Sequence, residues 1–319
     1  MSFASKTALP LHTSWTVGGA LRETLFWPNS QGLRPPRAVL LVIPGNPGLV
    51  DFYIDFCTIL HKKFSDLDII GVSHLGHTLF PNTRGILHRD RYVYTLDEQV
   101  ANMLLVFDEV RKEYSDSRLY LCGHSVGCYF CEKLIESRES EVDRVFGLFP
   151  AIESMAETPR GKQLRPLFWP MMRGAVANTV ELLRSILPIS AIHRLAELSG
   201  SLNAENSHLV VDKMLHRQCI LNVLGMAADE MVAIRGLNES LYRRAGSKFV
   251  FYYGEDDQWV PVEHYRRMRE VNHGGQVVLC VEGISHAFVT RHSTQMAVIV
   301  ACMLKKEMGQ EQEQEPAHE

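Results

Sequence analysis

The sequence lacks three features that would place it in a membrane, in a secretory route or on nucleic acid. No apolar run free of charges reaches about 18 residues, so we expect no conventional membrane-spanning helix. The stretch from Met1 to Trp15 has no basic head followed by an apolar run, and it predicts no secretory signal. Charge of one sign is also scarce, since 33 Lys and Arg stand against 37 Asp and Glu for a net charge of −4. We therefore predict no nucleic-acid partner.

A disulfide framework is also absent. The seven cysteines form an odd total without regular spacing, and most lie inside apolar stretches. We expect reduced core thiols in a reducing compartment. Hydrophobic residues make up 46% and charged residues 22% of the 319 residues, which is typical of one large globular domain or a domain that carries an insertion.

Short apolar runs rich in β-branched and aromatic residues recur along the chain. Near-continuous hydrophobicity over so few residues predicts strands that are covered on both faces. The predicted strands are Ala38–Ile43, Asp68–Val72, Arg118–Cys122, Arg144–Phe149, Lys248–Tyr253 and Gln276–Val281.

Helical patterns alternate with these strands. Apolar residues from Val100 to Phe107 follow the period of one helix face, and Asp97 is the predicted N-cap of that helix. Further helices are expected after Ser125, after Pro261 and from Ser293. The alternation predicts an α/β protein whose mostly parallel sheet is flanked by helices.

The pattern divides the chain into four parts. Residues 1–150 and 248–306 are predicted to form the two parts of one α/β core. Residues 151–247 contain helical pairs and Pro and Gly breaks but no convincing strand, and they predict a helical cap insertion. Residues 307–319 are rich in Gln and Glu and predict a disordered acidic tail.

Gly123-His124-Ser125-Val126-Gly127 matches the G-x-S-x-G nucleophile elbow. The motif follows a predicted strand and precedes a predicted helix, which is the context that it requires. Such a turn holds the serine in a strained conformation at the carboxyl edge of the sheet. Ser125 is therefore the candidate nucleophile.

A serine hydroxyl needs a base, and the base needs an orienting acid. His286 follows the last predicted strand and should emerge at the same edge, so it is the candidate base. Glu255, Asp256 and Asp257 compete for the acid after the strand that ends at Tyr253. The position of Asp257 before Val260-Pro261 favours it over Asp256. The chain order Ser, Asp, His is the order typical of hydrolases that contain this nucleophile elbow.

Acyl transfer also requires N–H donors for the oxyanion. The backbone amide of Val126 is one candidate. The turn Pro44-Gly45-Asn46-Pro47-Gly48 follows the first predicted strand, and the amide of Asn46 is the candidate for the second donor. A tight turn without a chemical role is the alternative.

Together these segments resemble the lipid droplet-associated hydrolase family of α/β-hydrolases. The resemblance runs from Ile43 to Phe288 and includes the Pro-Gly-Asn-Pro-Gly turn, the elbow, Phe251-Tyr252-Tyr253-Gly254 with Asp257, and His286-Ala287-Phe288. It implies an α/β-hydrolase fold with Ser125, Asp257 and His286 as nucleophile, acid and base. It also implies association with lipid droplets and the endoplasmic reticulum on the cytosolic face, and the family name suggests sterol esters or other neutral lipids as substrates.

The cap contains an apolar segment, residues 164–190, that charges and prolines interrupt. It predicts either ordinary packing of the cap onto the sheet or peripheral binding to a droplet or membrane surface. His74, His77 and His88 lack a nearby Cys or carboxylate cluster with metal-ligand spacing and instead predict a loop near the pocket rim.

The sequence thus predicts a serine hydrolase that cleaves ester bonds of hydrophobic lipids with neither a metal ion nor a coenzyme. Two alternatives stay open. A transacylase or thioesterase would use the same three residues with another acceptor or leaving group. A lipid-surface scaffold would carry them with weak or idle catalysis.

Overall fold

The structure, a computed structural model, describes residues 9–78, 92–198 and 204–309. Its centre is an eight-stranded sheet in the order β1-β2-β4-β3-β5-β6-β7-β8. Strands β3 to β8 pair in parallel, whereas β1 pairs with β2 and β2 with β4 in antiparallel fashion. The strands are β1 Leu11–Val17, β2 Ala20–Trp27, β3 Ala38–Ile43, β4 Leu67–Val72, β5 Arg118–His124, β6 Arg144–Leu148, β7 Phe249–Gly254 and β8 Gln276–Cys280.

Helices cover both faces of this sheet. Those of at least one α-helical turn are α1 Ile54–Lys63, α2 Leu96–Glu113, α3 Val126–Arg138, α4 Pro159–Leu164, α5 Pro170–Ile186, α6 Ile189–Leu198, α7 Ala204–Leu209, α8 Arg217–Ala233, α9 Glu239–Ala245, α10 Val262–Val271 and α11 Ser293–Glu307. Apolar residues of α2, α3, α9 and α10 pack in one core, and those of α1 and α11 pack in a second core with the alternate residues of the strands. The mostly parallel, helix-flanked sheet is confirmed.

The six predicted strands agree with β3 to β8 to within two residues at each end. All residues of β3, β4 and β7 are buried, as continuous apolar runs in a parallel sheet require. The hairpin of β1 and β2 was not predicted. Strand β2 carries the charged residues Arg22 and Glu23, and Arg22 is nevertheless buried because it donates to the side chain of Asn102 and to the carbonyl of Ser73.

The N-cap of α2 differs from the prediction. The helix begins at Leu96 with Thr95 as N-cap, so Asp97 lies inside the first turn and the assignment of Asp97 as the cap is wrong. The Thr95 side chain accepts from the Glu98 amide, and the Glu98 side chain accepts from the Thr95 amide, which forms a capping box.

Helices α4 to α9 lie between β6 and β7, and none of the described residues between those strands belongs to a strand. A lysine ties this helical region to the sheet, since the ammonium of Lys213 lies 2.5 Å from Glu23 and 2.7 Å from Asp51. Over the described ranges, every helix is too short or too polar to cross a bilayer.

The C-terminal end of the core and the state of the cysteines were both predicted from the sequence. Helix α11 extends through Glu307 and the side chain of Met308 is buried, so order continues beyond the predicted boundary at residue 306. The rest of the predicted acidic tail, from residue 310, lies outside the described residues. All seven cysteines are free and six are buried, which confirms the prediction of core thiols.

Candidate active site

The turn between β5 and α3 holds Ser125 in a strained backbone conformation, with φ 54° and ψ −122°. The two glycines of the motif permit this turn because no side chain fits at either position. A Cβ atom at Gly123 would lie 2.6 Å from the carbonyl oxygen of Gly127, and one at Gly127 would lie 2.2 Å from that of Ile43. The elbow therefore packs in direct contact with the end of β3.

His286 lies next to the hydroxyl of Ser125. Its Nε2 is 2.9 Å from Ser125 Oγ, and its Nδ1 is 2.6 Å from Oδ2 of Asp257. Three residues that are separated by up to 161 positions thus form one hydrogen-bonded chain. With Nδ1 protonated toward Asp257, Nε2 is left free to accept the serine proton.

The loop after β7 selects one acid from the three candidates. The Asp257 side chain is fully buried, and its Oδ1 accepts from the amides of Trp259 (2.8 Å) and Val260 (3.0 Å). Glu255 and Asp256 are exposed. Because one oxygen of Asp257 is held by backbone amides, the other is fixed toward the imidazole of His286.

A second histidine supports the loop of His286, and the sequence analysis did not assign it a role. His124 Nε2 lies 2.8 Å from the carbonyl oxygen of His286, and His124 Nδ1 lies 2.6 Å from the hydroxyl of Tyr53. The Tyr53 hydroxyl also accepts from the amide of Gly45 at 2.9 Å. One chain of hydrogen bonds therefore connects the turn after β3 with the loop that carries His286.

Burial fixes the protonation of this second histidine. Burial, together with the neighbouring His286 ring, lowers the pKa of His124 to about 3. His124 therefore stays neutral near pH 7, with Nε2–H donating to His286 and Nδ1 accepting from Tyr53. Nothing in its position beside Ser125 in the motif predicts this role, because the partners come from distant segments.

The two residues predicted to supply oxyanion donors lie on either side of Ser125. Val126 is the first residue of α3, so its amide is among those without an acceptor inside the helix. A Cβ atom at Gly45 would lie 2.9 Å from Ser125 Cβ, which places the turn containing Asn46 against Ser125. The Asn46 side chain instead turns toward α8, where its Nδ2 donates to the carbonyl of Val223 at 3.0 Å and to Glu230 at 3.1 Å.

His74 and His77 lie in a loop, as predicted, and both rings are buried. His74 Nε2 lies 3.0 Å from the carbonyl oxygen of Pro44, and His77 Nδ1 lies 2.6 Å from that of Pro47. The two histidines therefore stabilise the turn that contains Pro44 and Pro47. His88 lies outside the described residues.

Comparison with known proteins identifies the family. The model of the lipid-droplet associated hydrolases matches residues 36–289, which is most of the chain. The chain belongs to this family. Full-length relatives agree: a lipid droplet-associated hydrolase of Gallus gallus is 32% identical over 97% of this chain and 99% of its own, and the Homo sapiens protein of that name is 30% identical over 95% and 98%.

Solved structures confirm the α/β-hydrolase fold of this family member. A bacterial membrane phospholipase A superposes with a TM-score of 0.65 at 12% identity and covers 93% of this chain and 86% of its own. A thermophilic esterase from Thermogutta terrifontis gives 0.60 at 14% identity and covers 93% and 99%. At such identities the likeness concerns the fold alone.

A cavity of about 450 Å³ lies over the elbow, and both Ser125 and His286 line it. Most of its lining is apolar. The core contributes Phe52, and the helical region between β6 and β7 contributes Phe168, Met214 and Leu224. Such a cavity suits a hydrophobic ligand of moderate size.

Two groups of described residues have the geometry to hold a metal ion, and neither contains Ser125, Asp257 or His286. One comprises His193, His208 and Asp212, and the other comprises His12, Glu23 and Asp51. In the second group both carboxylates already pair with Lys213.

Proposed function

We propose that this family member is a serine hydrolase that cleaves ester bonds of hydrophobic lipids, such as sterol esters or other neutral lipids. The observation that carries the proposal is the hydrogen-bonded chain Ser125, His286, Asp257 at the wall of an apolar cavity. Membership of a hydrolase family supports the same conclusion. Ser125 is the nucleophile, His286 the base and Asp257 the orienting acid.

The proposed reaction proceeds through an acyl-enzyme. His286 Nε2 takes the proton of Ser125 Oγ, which attacks the acyl carbonyl, and Asp257 stabilises the imidazolium that forms. Backbone amides of Asn46 and Val126 hold the oxyanion. The leaving alcohol receives the proton from His286. A water molecule, activated by the same imidazole, then attacks the acyl-enzyme and releases the acid.

We propose further that residues 164–190 bind the protein peripherally to lipid, at the cytosolic face of lipid droplets and the endoplasmic reticulum. The support is the exposure of large apolar side chains on α5 and the turn before it: Trp169 is 60% exposed, Met171 87% and Ile186 63%. The relatives named above are called lipid droplet-associated, which fits this surface. Soluble proteins seldom leave such a group uncovered.

The experiment compares hydrolysis of a soluble aryl ester by wild type, Ser125→Ala and Ser137→Ala. Ser137 is an exposed serine on α3, so its substitution serves as the matched control. We expect Ser125→Ala to lower kcat by at least about 10³-fold, because the nucleophile is lost, and Ser137→Ala to leave kcat unchanged.

Two outcomes would redirect the proposal. A folded wild type without activity would favour the lipid-surface scaffold. Turnover that depends on Ser125 but is faster with a thioester, or with an alcohol acceptor in place of water, would favour a thioesterase or a transacylase.

A further inference from the structure

One carboxyl group interrupts the apolar lining of the cavity. Glu230 on α8 lines the cavity and is only 5% exposed. Its Oε1 accepts from Asn46 Nδ2 at 3.1 Å, and no described residue offers a hydrogen bond to its Oε2. A carboxyl oxygen among apolar cavity walls has few polar partners within the protein, so a ligand that supplies one gains affinity.

The Asn46 side chain has the same deficit. Its Nδ2 is shared between Glu230 and the carbonyl of Val223, while its Oδ1 is buried without a hydrogen-bond partner among the described residues. Asn46 also lines the cavity. The Asn46–Glu230 pair therefore has two oxygens without a hydrogen-bond partner among the described residues.

The protonation of Glu230 narrows the ligand chemistry. Burial, partly offset by the hydrogen bond from Asn46 and reinforced by the nearby Asp229, raises the pKa of Glu230 to about 8. Near pH 7 the carboxyl group thus holds a proton and can donate as well as accept. The Asn46 oxygen can only accept. A hydroxyl group, which is both donor and acceptor, matches this pair.

The pair also lies close to the reacting centre. Asn46 follows Gly45, where a Cβ atom would lie 2.9 Å from Ser125 Cβ. A ligand group that contacts Asn46 and Glu230 is therefore near the ester bond that Ser125 attacks.

We propose that the Asn46–Glu230 pair binds a free hydroxyl of the substrate, so that the enzyme prefers hydroxyl-bearing acyl esters to fully apolar ones. This inference rests on the proposed hydrolase function and narrows its substrate class. Partly esterified polyols, which keep a free hydroxyl beside the ester, belong to the preferred class. A sterol ester has no free hydroxyl and lies outside it.

The test uses two pairs of esters of matched size. Glycol monolaurate against propyl laurate places the hydroxyl in the alcohol part, and ethyl β-hydroxylaurate against ethyl β-methyllaurate places it in the acyl part. The readout is the ratio of kcat/KM within each pair. We expect wild type to prefer the hydroxyl by about 10- to 100-fold in one of the two pairs, because one hydrogen bond to a buried group is lost in the apolar ester.

Variants assign this preference to Glu230. Glu230→Leu should bring the ratio to about one, whereas Glu230→Gln, which keeps a donor and an acceptor, should retain most of it. Val232→Ala, at an exposed position of the same helix, should keep both rate and ratio. Both esters of a pair meet the same folded fraction, so a partial folding defect does not change the ratio.

A wild-type ratio of about one in both pairs, or a preference that survives in Glu230→Leu, would overturn the inference. The wild-type ratio needs no variant, so the test holds even if Glu230→Leu fails to fold. If the ratio is one but hydrolysis still depends on Ser125, only this inference fails. If Ser125→Ala hydrolyses all four esters as wild type does, both the proposed function and this inference fail.

Discussion

The elbow around Ser125 and helix α5 differ most in how their residues are packed. At the elbow no side chain fits at Gly123 or Gly127, and all residues from Leu119 to Cys128 are buried. Helix α5 has 17 residues, of which Ala177 is the only buried one. The tight packing of the elbow holds Ser125 in one position, whereas α5 leaves apolar side chains that the protein core does not cover.

The contrast extends to polar groups. Around the elbow, Tyr53, His124 and Asp257 are buried, and each forms a hydrogen bond with a backbone group of a nearby loop or turn. The exposed side chains of α5 include large apolar ones, such as Leu182 and Ile186. Substitutions should therefore act through strain and lost hydrogen bonds in the first region, and through lipid contact in the second.

The largest effect is expected from the same substitution made in each region. In Gly127→Ala the new methyl group would lie 2.2 Å from the Ile43 carbonyl oxygen, so backbone must shift and the free energy of unfolding should fall by about 3 kcal/mol. In Gly174→Ala on α5 nothing lies within 4 Å, and the better helix propensity of alanine should raise stability by up to about 1 kcal/mol.

Urea unfolding of both variants measures the two changes, and aryl-ester hydrolysis should be lost in Gly127→Ala alone. Equal effects of the two substitutions would remove the distinction between the regions.

An effect of similar size is expected from acid, and it should act on the elbow side. Burial lowers the pKa of His77 from 6.5 to about 4. Between these values the unfolded chain binds more protons than the folded chain, so stability falls as the pH falls from about 6.5 to about 4, by about 3 kcal/mol for this group. His77→Asn keeps a donor toward the Pro47 carbonyl but cannot titrate.

The free energy of unfolding of wild type and His77→Asn should therefore converge as the pH falls. Chemical denaturation at pH values from about 7.5 to about 4.5 provides the curves. Parallel curves would show that His77 titrates alike in both states.

The smallest effect on stability is expected from the exposed face of α5. Met171→Ser combined with Ile186→Ser removes apolar surface at positions that are 87% and 63% exposed, so unfolding should change by less than about 0.5 kcal/mol. Flotation with triolein droplets coated by phospholipid should nevertheless decrease several-fold, while hydrolysis of the soluble ester is retained.

Phe168 should be left in place in that experiment because it is buried and lines the cavity. Unchanged flotation would exclude this face as the lipid-binding surface and would favour its cover by another partner.

The sequence predicts the parallel strands well because their residues are apolar on both faces, so the signal is local. It fails for β1 and β2, where Arg22 and Glu23 break the apolar pattern. Their charges are satisfied by Asn102 and Lys213, which are far away in the chain. The N-cap of α2 could be predicted from the sequence, because Thr95 and Glu98 have the spacing of a capping box.

For the candidate site, motif and chain order predict Ser125 and His286 and favour Asp257 over Asp256, and the structure brings Ser125, Asp257 and His286 together. Tyr53, Glu230 and the role of His124 could not be predicted in this way. Each acts through a hydrogen bond to a residue on another element, and no sequence spacing records such a contact. Burial, which sets the pKa of His124 and Glu230, is likewise a property of the folded chain.

The central claim is that Ser125 is activated by its neighbours to attack an acyl or phosphonyl centre. The direct measurement is mass spectrometry of the protein after treatment with an alkyl fluorophosphonate. The account predicts one adduct, on the peptide that contains Ser125, and slow or absent labelling in His286→Ala. A folded wild type that stays unlabelled, or an adduct on another residue that forms equally fast in Ser125→Ala, would contradict it.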